Sequence, residues 1–252
     1  SPKLNNFKIV AIADIHGGAN FITEEKIREI VSLANAQDPD LIILLGDYVS
    51  RQTFDKTKTR MPIEVVFDNL KGLKAKLGVF ACVGNHDNQF GNEIIRKALE
   101  NIGYKVLESE AASIEKDGEK LRLVGLPDTL RNGDYLSYRN RINNALDSLE
   151  NKEGKIILFS HNPDLLWTIT GSYKASEDIV MFVGGHTHGG QINLPIIGPP
   201  FVSSVYGSKY AKGYFQDLGI SIFVSSGIGT SVIPARFRVP PEISVLEISA
   251  ED

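Results

Sequence analysis

A single cysteine in a chain of 252 residues excludes an intramolecular disulfide, and so a fold held by cross-links. Cys82 sits inside the apolar run at 79–83, where a thiol is expected to be an inert core group, so cysteine usage leaves the compartment open. No stretch approaches the ~18 consecutive apolar residues of a membrane span, and no signal peptide precedes Lys8. The chain begins Ser1-Pro2 without an initiator methionine, which leaves an N-terminal anchor or export signal upstream as an open expectation. Charge of one sign is also lacking. With 27 basic and 31 acidic residues the net charge is −4, which gives no electrostatic footprint for nucleic acid. There is no proline- or glycine-rich linker, repeat or low-complexity tract. At 42% hydrophobic residues the chain can bury a substantial core, and one α/β domain over 1–252 is expected.

Histidine is scarce as well, and its placement is informative. All five lie at or beside a glycine- or aspartate-bearing corner that follows an apolar run. The corners are Asp14-Ile15-His16, Gly84-Asn85-His86-Asp87, Ser160-His161-Asn162 and Gly185-His186-Thr187-His188; a fifth, Gly46-Asp47, has the same setting without histidine. Each preceding run has strand length: 8–13, 41–45, 79–83, 155–159 and 179–183. Segments of helical period lie among them at 24–36, 63–76, 93–102 and 139–149, with Thr23 an N-cap for the first. Strand, helix, strand order at the front predicts right-handed parallel crossovers. Later stretches at 105–109, 121–126, 213–217, 221–225 and 243–248 read as strands with short connections, giving a mixed sheet or two stacked sheets with helices outside. Sites in such sheets form beyond the carboxyl ends of strands, where the five corners fall.

Taken singly, an Asp-x-His or a His-x-His is a weak signal. Five corners in order, using every histidine, point to a two-metal hydrolytic centre. Such a centre needs one ligand shared by both cations, held about 3.5–4 Å apart. Asp47, at a strand end after a glycine, suits that role. Asp14 and His16 can reach one cation. His161, His186 and the Asn85 carbonyl suit the other, and His188, two residues past His186 in an extended segment, is expected to point the same way and complete the set. All are nitrogen or hard oxygen donors, which suits Mn foremost, with Fe, Zn or Co as alternatives.

This set of motifs resembles the five-part signature of the calcineurin-like metallophosphoesterases, matching from Asp14 to His188. The resemblance implies a four-layer α/β/β/α sandwich and a dinuclear centre, with Asp14, His16, Asp47 and His188 on one cation and Asp47, Asn85, His161 and His186 on the other. His86, not needed as a ligand if Asn85 binds metal, would face substrate and protonate a leaving oxygen or stabilise charge on phosphorus. In some relatives an aspartate orients this histidine; Ser50 stands in that place here, which leaves the partner of His86 open, with Asp87 as one candidate. Arg51 matches a phosphate-binding arginine of those relatives, in a loop that also carries Lys56, Lys58 and Arg60.

Two further stretches bear on the substrate. An apolar loop at 196–206 beside the metal site suggests contact with an acyl chain or a membrane surface. The Ser225-to-Thr230 run, with Arg236 and Arg238 after it, resembles a bacterial branch whose members are often anchored at or exported across the inner membrane. That branch includes phosphodiesterases and enzymes that cleave the pyrophosphate of UDP-2,3-diacylglucosamine in lipid A synthesis. Arg236 and Arg238 are candidates for a second phosphate or a sugar. The expected function is a metal-dependent phosphohydrolase of a phosphodiester or pyrophosphate in a phosphorylated small molecule or lipid. It would be bacterial, and cytoplasmic or associated with the inner membrane. A phosphomonoesterase, including a protein phosphatase, and a non-catalytic metal-binding module are the alternatives.

Overall fold

The computed structural model describes residues 6–55, 57–128, 135–168 and 177–248; Lys56 of the basic loop lies outside them. Strands β1 (Phe7–Ile12), β2 (Leu41–Leu44), β3 (Val79–Ala81) and β4 (Lys105–Val106) run parallel in one sheet. Its other edge is closed by antiparallel β11 (Ser244–Ile248), giving the order β11-β1-β2-β3-β4. The second sheet combines β5 (Glu110–Lys116), β6 (Glu119–Leu126), β7 (Lys155–Ser160), β8 (Ile179–Gly184), β9 (Gly213–Asp217) and β10 (Ile220–Val224) in the order β5-β6-β7-β8-β10-β9. Its four inner strands are parallel, and both edge strands are antiparallel.

The near-continuous apolar runs follow from burial of both faces of each sheet. In β1, Phe7, Ile9 and Ala11 face the second sheet and join Leu41, Ile43 and Phe80 against Leu123, Ile157, Phe159 and Val183. The alternate residues Val10 and Ile12 point outward, onto Ile27 and Ile30 of α1 (Glu24–Ala36) and onto Val66 and Phe67 of α2 (Ile63–Leu70). On the far side, Val124, Ile156, Leu158 and Phe182 pack on Tyr138 and Ile142 of α5 (Tyr135–Asp147). The layers are thus helix, sheet, sheet, helix, as the resemblance implied.

Local rules set the boundaries. The Thr23 side chain accepts the Lys26 N–H and caps α1. α2 stops at Leu70 rather than continuing to 76, because Lys71 is already extended and Gly72 adopts φ +105°. α4 (Asn92–Asn101) follows the short α3 (Asn85–Asn88). Strand β5 was absent from the sequence reading, since its composition is polar and half-exposed; it is an edge strand held by seven residue pairs with β6. Every parallel strand ends on the same side, so the corners after β1, β2, β3, β7 and β8 converge there. No helix among the described residues is long and apolar enough to cross a membrane.

Candidate metal centre

The corners are tied to one another through the backbone. Asp14 N–H donates to Gly46 O at 3.0 Å, and His16 N–H to Asp47 O at 2.9 Å. Five non-glycine residues of the site take left-handed φ: Asp14 (54°), His16 (50°), Asp47 (57°), His186 (71°) and His188 (51°). Each costs roughly 1 kcal/mol or more, and such outliers persist where surrounding structure imposes them, commonly at functional sites. Two glycines make room. A Cβ on Gly84 would run into the Asp47 side chain, and one on Gly227 would meet the Asp14 side chain at 2.6–2.8 Å.

The side chains form two adjoining groups. In the first, His188 Nε2 lies 3.2 Å from His16 Nε2 and 3.4 Å from Asp14 Oδ1. In the second, His161 Nε2 lies 3.0 Å from Asn85 Oδ1 and 3.1 Å from His186 Nδ1. Asp47 Oδ2 stands between them, 3.6 Å from His16 Nε2 and 3.3 Å from His161 Nε2. Its other oxygen accepts the His86 N–H at 2.8 Å.

Divalent cations fit this donor set. Asp14 and Asp47 are buried, and among the described residues no lysine or arginine lies within ion-pair distance of either. Among the described residues Asp14 Oδ1 has no hydrogen-bond partner. Buried carboxylates without a lysine or arginine partner are costly, and cations held between them and the ring nitrogens offset that cost. Burial pushes the His16 pKa down to about 4 and those of His186 and His188 to about 3, so at neutral pH these rings are uncharged with lone pairs ready to coordinate. His161 differs. Burial disfavours its cation, but the Asp47 charge and hydrogen bond outweigh burial and hold its pKa well above the ordinary value.

That difference predicts a linkage. A raised pKa keeps His161 protonated at neutral pH in the metal-free protein, and a ligand must be neutral. Metal loading is therefore expected to release about one proton, with apparent affinity falling as pH is lowered. Calorimetric titration in buffers of different ionisation enthalpy reads that release; equal heats in all buffers would contradict the His161–Asp47 pairing.

Partners on the far side of each ring fix its orientation. His161 Nδ1 donates to Leu45 O at 2.7 Å, and His16 donates to the Val49 carbonyl. His186 Nε2 meets Ser203 Oγ at 3.1 Å. His188 Nδ1 accepts from the Arg236 guanidinium at 3.3 Å.

Several sequence expectations are corrected here. His188 does not continue an extended segment from His186: Thr187 is helical, His188 opens a 3-10 turn, and the two rings diverge to separate groups. Asp87 does not orient His86. Its buried carboxylate accepts the N–H groups of Asp47 (2.7 Å), Tyr48 (2.9 Å), Val49 (3.2 Å) and Gly84 (3.0 Å), clamping two corners together. The partner of His86 Nε2 is instead Ser231 Oγ, at 3.3 Å. Arg236 does not face substrate, because its donors are engaged by the carbonyls of Ser226, Gly229, His188 and Val239. Arg238 is exposed and lines neither part of the cleft, whereas Arg51 does line it, beside Arg60.

One residue was overlooked. Asp128, just past the end of β6, brings its carboxylate within 4.8 Å of ring nitrogens of both His161 and His186. The signal was present, an acid after the apolar run 121–126, but no histidine marked that corner.

Comparison with known proteins agrees with this geometry. The chain is 30% identical over 249 residues to the uncharacterized metallophosphoesterase YkuE of Bacillus subtilis, covering 98% of this chain and 80% of that protein. It is 30% identical over 245 residues to the phosphodiesterase YaeI of Escherichia coli, covering 96% and 82%. Among solved structures, a Haemophilus influenzae NAD nucleotidase shares the fold at TM-score 0.57 and 16% identity over 88% of this chain. A Staphylococcus aureus 5′-nucleotidase shares it at TM-score 0.56 and 13% identity over 97%. The chain spans about half the length of those two, 45% and 55%. The calcineurin-like phosphoesterase family model matches residues 7–190, from the start of β1 through both halves of the metal centre, and the chain belongs to that family as a metal-dependent phosphoester hydrolase.

Proposed function

We propose that the chain hydrolyses a diester-type linkage, a phosphodiester or a pyrophosphate, in which phosphorus carries an organic group on each side. The supporting observation is the shape of the cleft over the metal ligands, which opens in two arms of about 370 Å³ each. One arm is the more polar, lined by Ser50, Arg51, Gln52, Thr53 and Arg60 together with Val232, Ile233 and Pro234. The other is apolar, lined by Ile192, Pro200, Phe201, Val232 and Ile233. They meet at His86, Ser231, Val232 and Ile233, beside the ligands. A monoester needs one outlet; a diester centred at the junction fills both.

Metal-ligand roles are proposed for Asp14, His16, Asp47, Asn85, His161, His186 and His188, with Mn as the resident pair because every donor is nitrogen or hard oxygen. Bound there, two divalent cations supply a water of lowered pKa and polarise the phosphoryl oxygens. The chain's own residues do the rest. Asp47 holds the two ligand groups in register. Asn85, with its carbonyl turned to His161, leaves its amide N–H groups for a phosphoryl oxygen. His86, fixed through its own N–H to Asp47 and through Nε2 to Ser231, delivers a proton to the departing oxygen. The Arg51 guanidinium fits phosphoryl oxygens in the polar arm. Exposed apolar side chains, Phe201 and Val232 in the apolar arm and Ile196 and Ile197 in the loop that leads to Phe201, favour an amphiphilic substrate met at a membrane surface.

A Mn²⁺-loaded preparation assayed on an aryl monoester, an aryl diester and UDP-2,3-diacylglucosamine tests the reading. The expected result is a kcat/KM at least about tenfold higher on a two-sided substrate than on the monoester, a difference of ~1.4 kcal/mol in transition-state binding. A preference for the monoester would overturn it.

A further inference from the structure

We propose that Asp128 is a further member of the metal centre, its carboxylate serving the cation held by Asn85, His161 and His186. The inference rests on the two-metal reading above and adds a residue to it. Its position follows from topology. β6 runs parallel to β7 with Leu126 opposite Ser160, so the chain leaving β6 passes directly beside the corner that carries His161. Pro127 fixes φ at that exit, and the Asn88 side-chain amide donates to the Asp128 carbonyl at 3.4 Å. The carboxylate is thereby held within 4.8 Å of ring nitrogens of both His161 and His186.

Charge gives the reason. As read from sequence, one cation has Asp14 to itself and shares Asp47. The other has only the shared Asp47 beside two imidazoles and an amide, all neutral as ligands. Asp128 restores the balance, with one private carboxylate for each cation and one between them. The Asp128 carboxylate itself needs such a cation. Among the described residues no lysine or arginine pairs with it. A half-buried carboxylate whose neighbours are imidazoles that must be neutral once they ligate is best balanced by a divalent ion held among them.

Mn²⁺ titration of the metal-free protein, followed by calorimetry and by the spin-coupled EPR signal of a Mn pair, separates the outcomes. Wild type is expected to bind two equivalents. Asp128→Asn is expected to bind the first as wild type does, to weaken the second by about tenfold or more, and to lose the coupled signal at two equivalents. Asp128→Glu, which keeps the charge, is expected to stay within a few-fold of wild type. Thermal unfolding of each metal-free variant checks the fold. The proposal is overturned if Asp128→Asn binds both equivalents as wild type does, or if Asp128→Glu loses the second as fully as Asp128→Asn. Uptake of fewer than two equivalents by wild type would instead overturn the two-metal reading on which the proposal rests.

Discussion

Asp47→Asn is expected to lower kcat on an aryl diester by about 1,000-fold, ~4 kcal/mol in activation free energy, while the metal-free protein folds as wild type does. The size of the effect comes from the position of one oxygen. Asp47 Oδ2 lies between His16 Nε2 and His161 Nε2, at 3.6 and 3.3 Å, within reach of both ligand groups. An amide there is neutral and presents either a weaker oxygen or an N–H₂ that repels a cation, so both groups lose their common anion. The fold should tolerate the change for two reasons. Asparagine accepts the left-handed φ of 57° about as readily as aspartate. The corner itself is held by the backbone N–H groups of Asp47, Tyr48 and Val49 on Asp87, which the substitution leaves in place. Metal content by mass spectrometry should fall below two equivalents, and the unfolding temperature of the metal-free form should fall modestly, since the buried His161–Asp47 pair has lost its anion. Full activity in Asp47→Asn would contradict the assignment.

His86→Ala is expected to lower kcat by roughly 100- to 1,000-fold and leave metal content unchanged. The two substitutions therefore separate by what they do to the metal. His86 packs edge-on to His16, with ring centroids 4.9 Å apart, yet its Nε2 is turned to Ser231 and lines both arms of the cleft. Its backbone N–H contact with Asp47 survives truncation of the side chain. A group that acts on the departing oxygen should matter least when that oxygen leaves easily, so the loss is expected to shrink on aryl esters of low leaving-group pKa and to grow on alkyl esters. A loss of metal equal to that in Asp47→Asn would show the imidazole to be a ligand instead.

The parts of this molecule legible in its sequence are those governed by short-range rules. The period of 24–36 and its Thr23 cap give α1 to the residue, because one apolar face and one hydroxyl decide it. The corners after β1, β2, β3, β7 and β8 were legible because each couples an apolar run to a donor side chain at the strand end. Tertiary contacts account for what was missed. Arg236 looks like a phosphate ligand in one dimension and is a clamp on carbonyls in three. Asp87 looks like a partner for its neighbour His86 and in fact reaches back about 40 residues to the Asp47 corner. His186 and His188 share a motif but not a cation group, because the intervening backbone turns rather than extends. Ser231, the partner of His86, lies 145 residues away, beyond any local pattern.

The central claim is that two cations held by one shared carboxylate are both needed for turnover. It is tested most directly by measuring the rate of aryl diester hydrolysis as Mn²⁺ is added in known equivalents to the metal-free protein. Activity should stay near background through the first equivalent, rise with the second and then saturate. Full activity at one equivalent, or with no metal added, would contradict it.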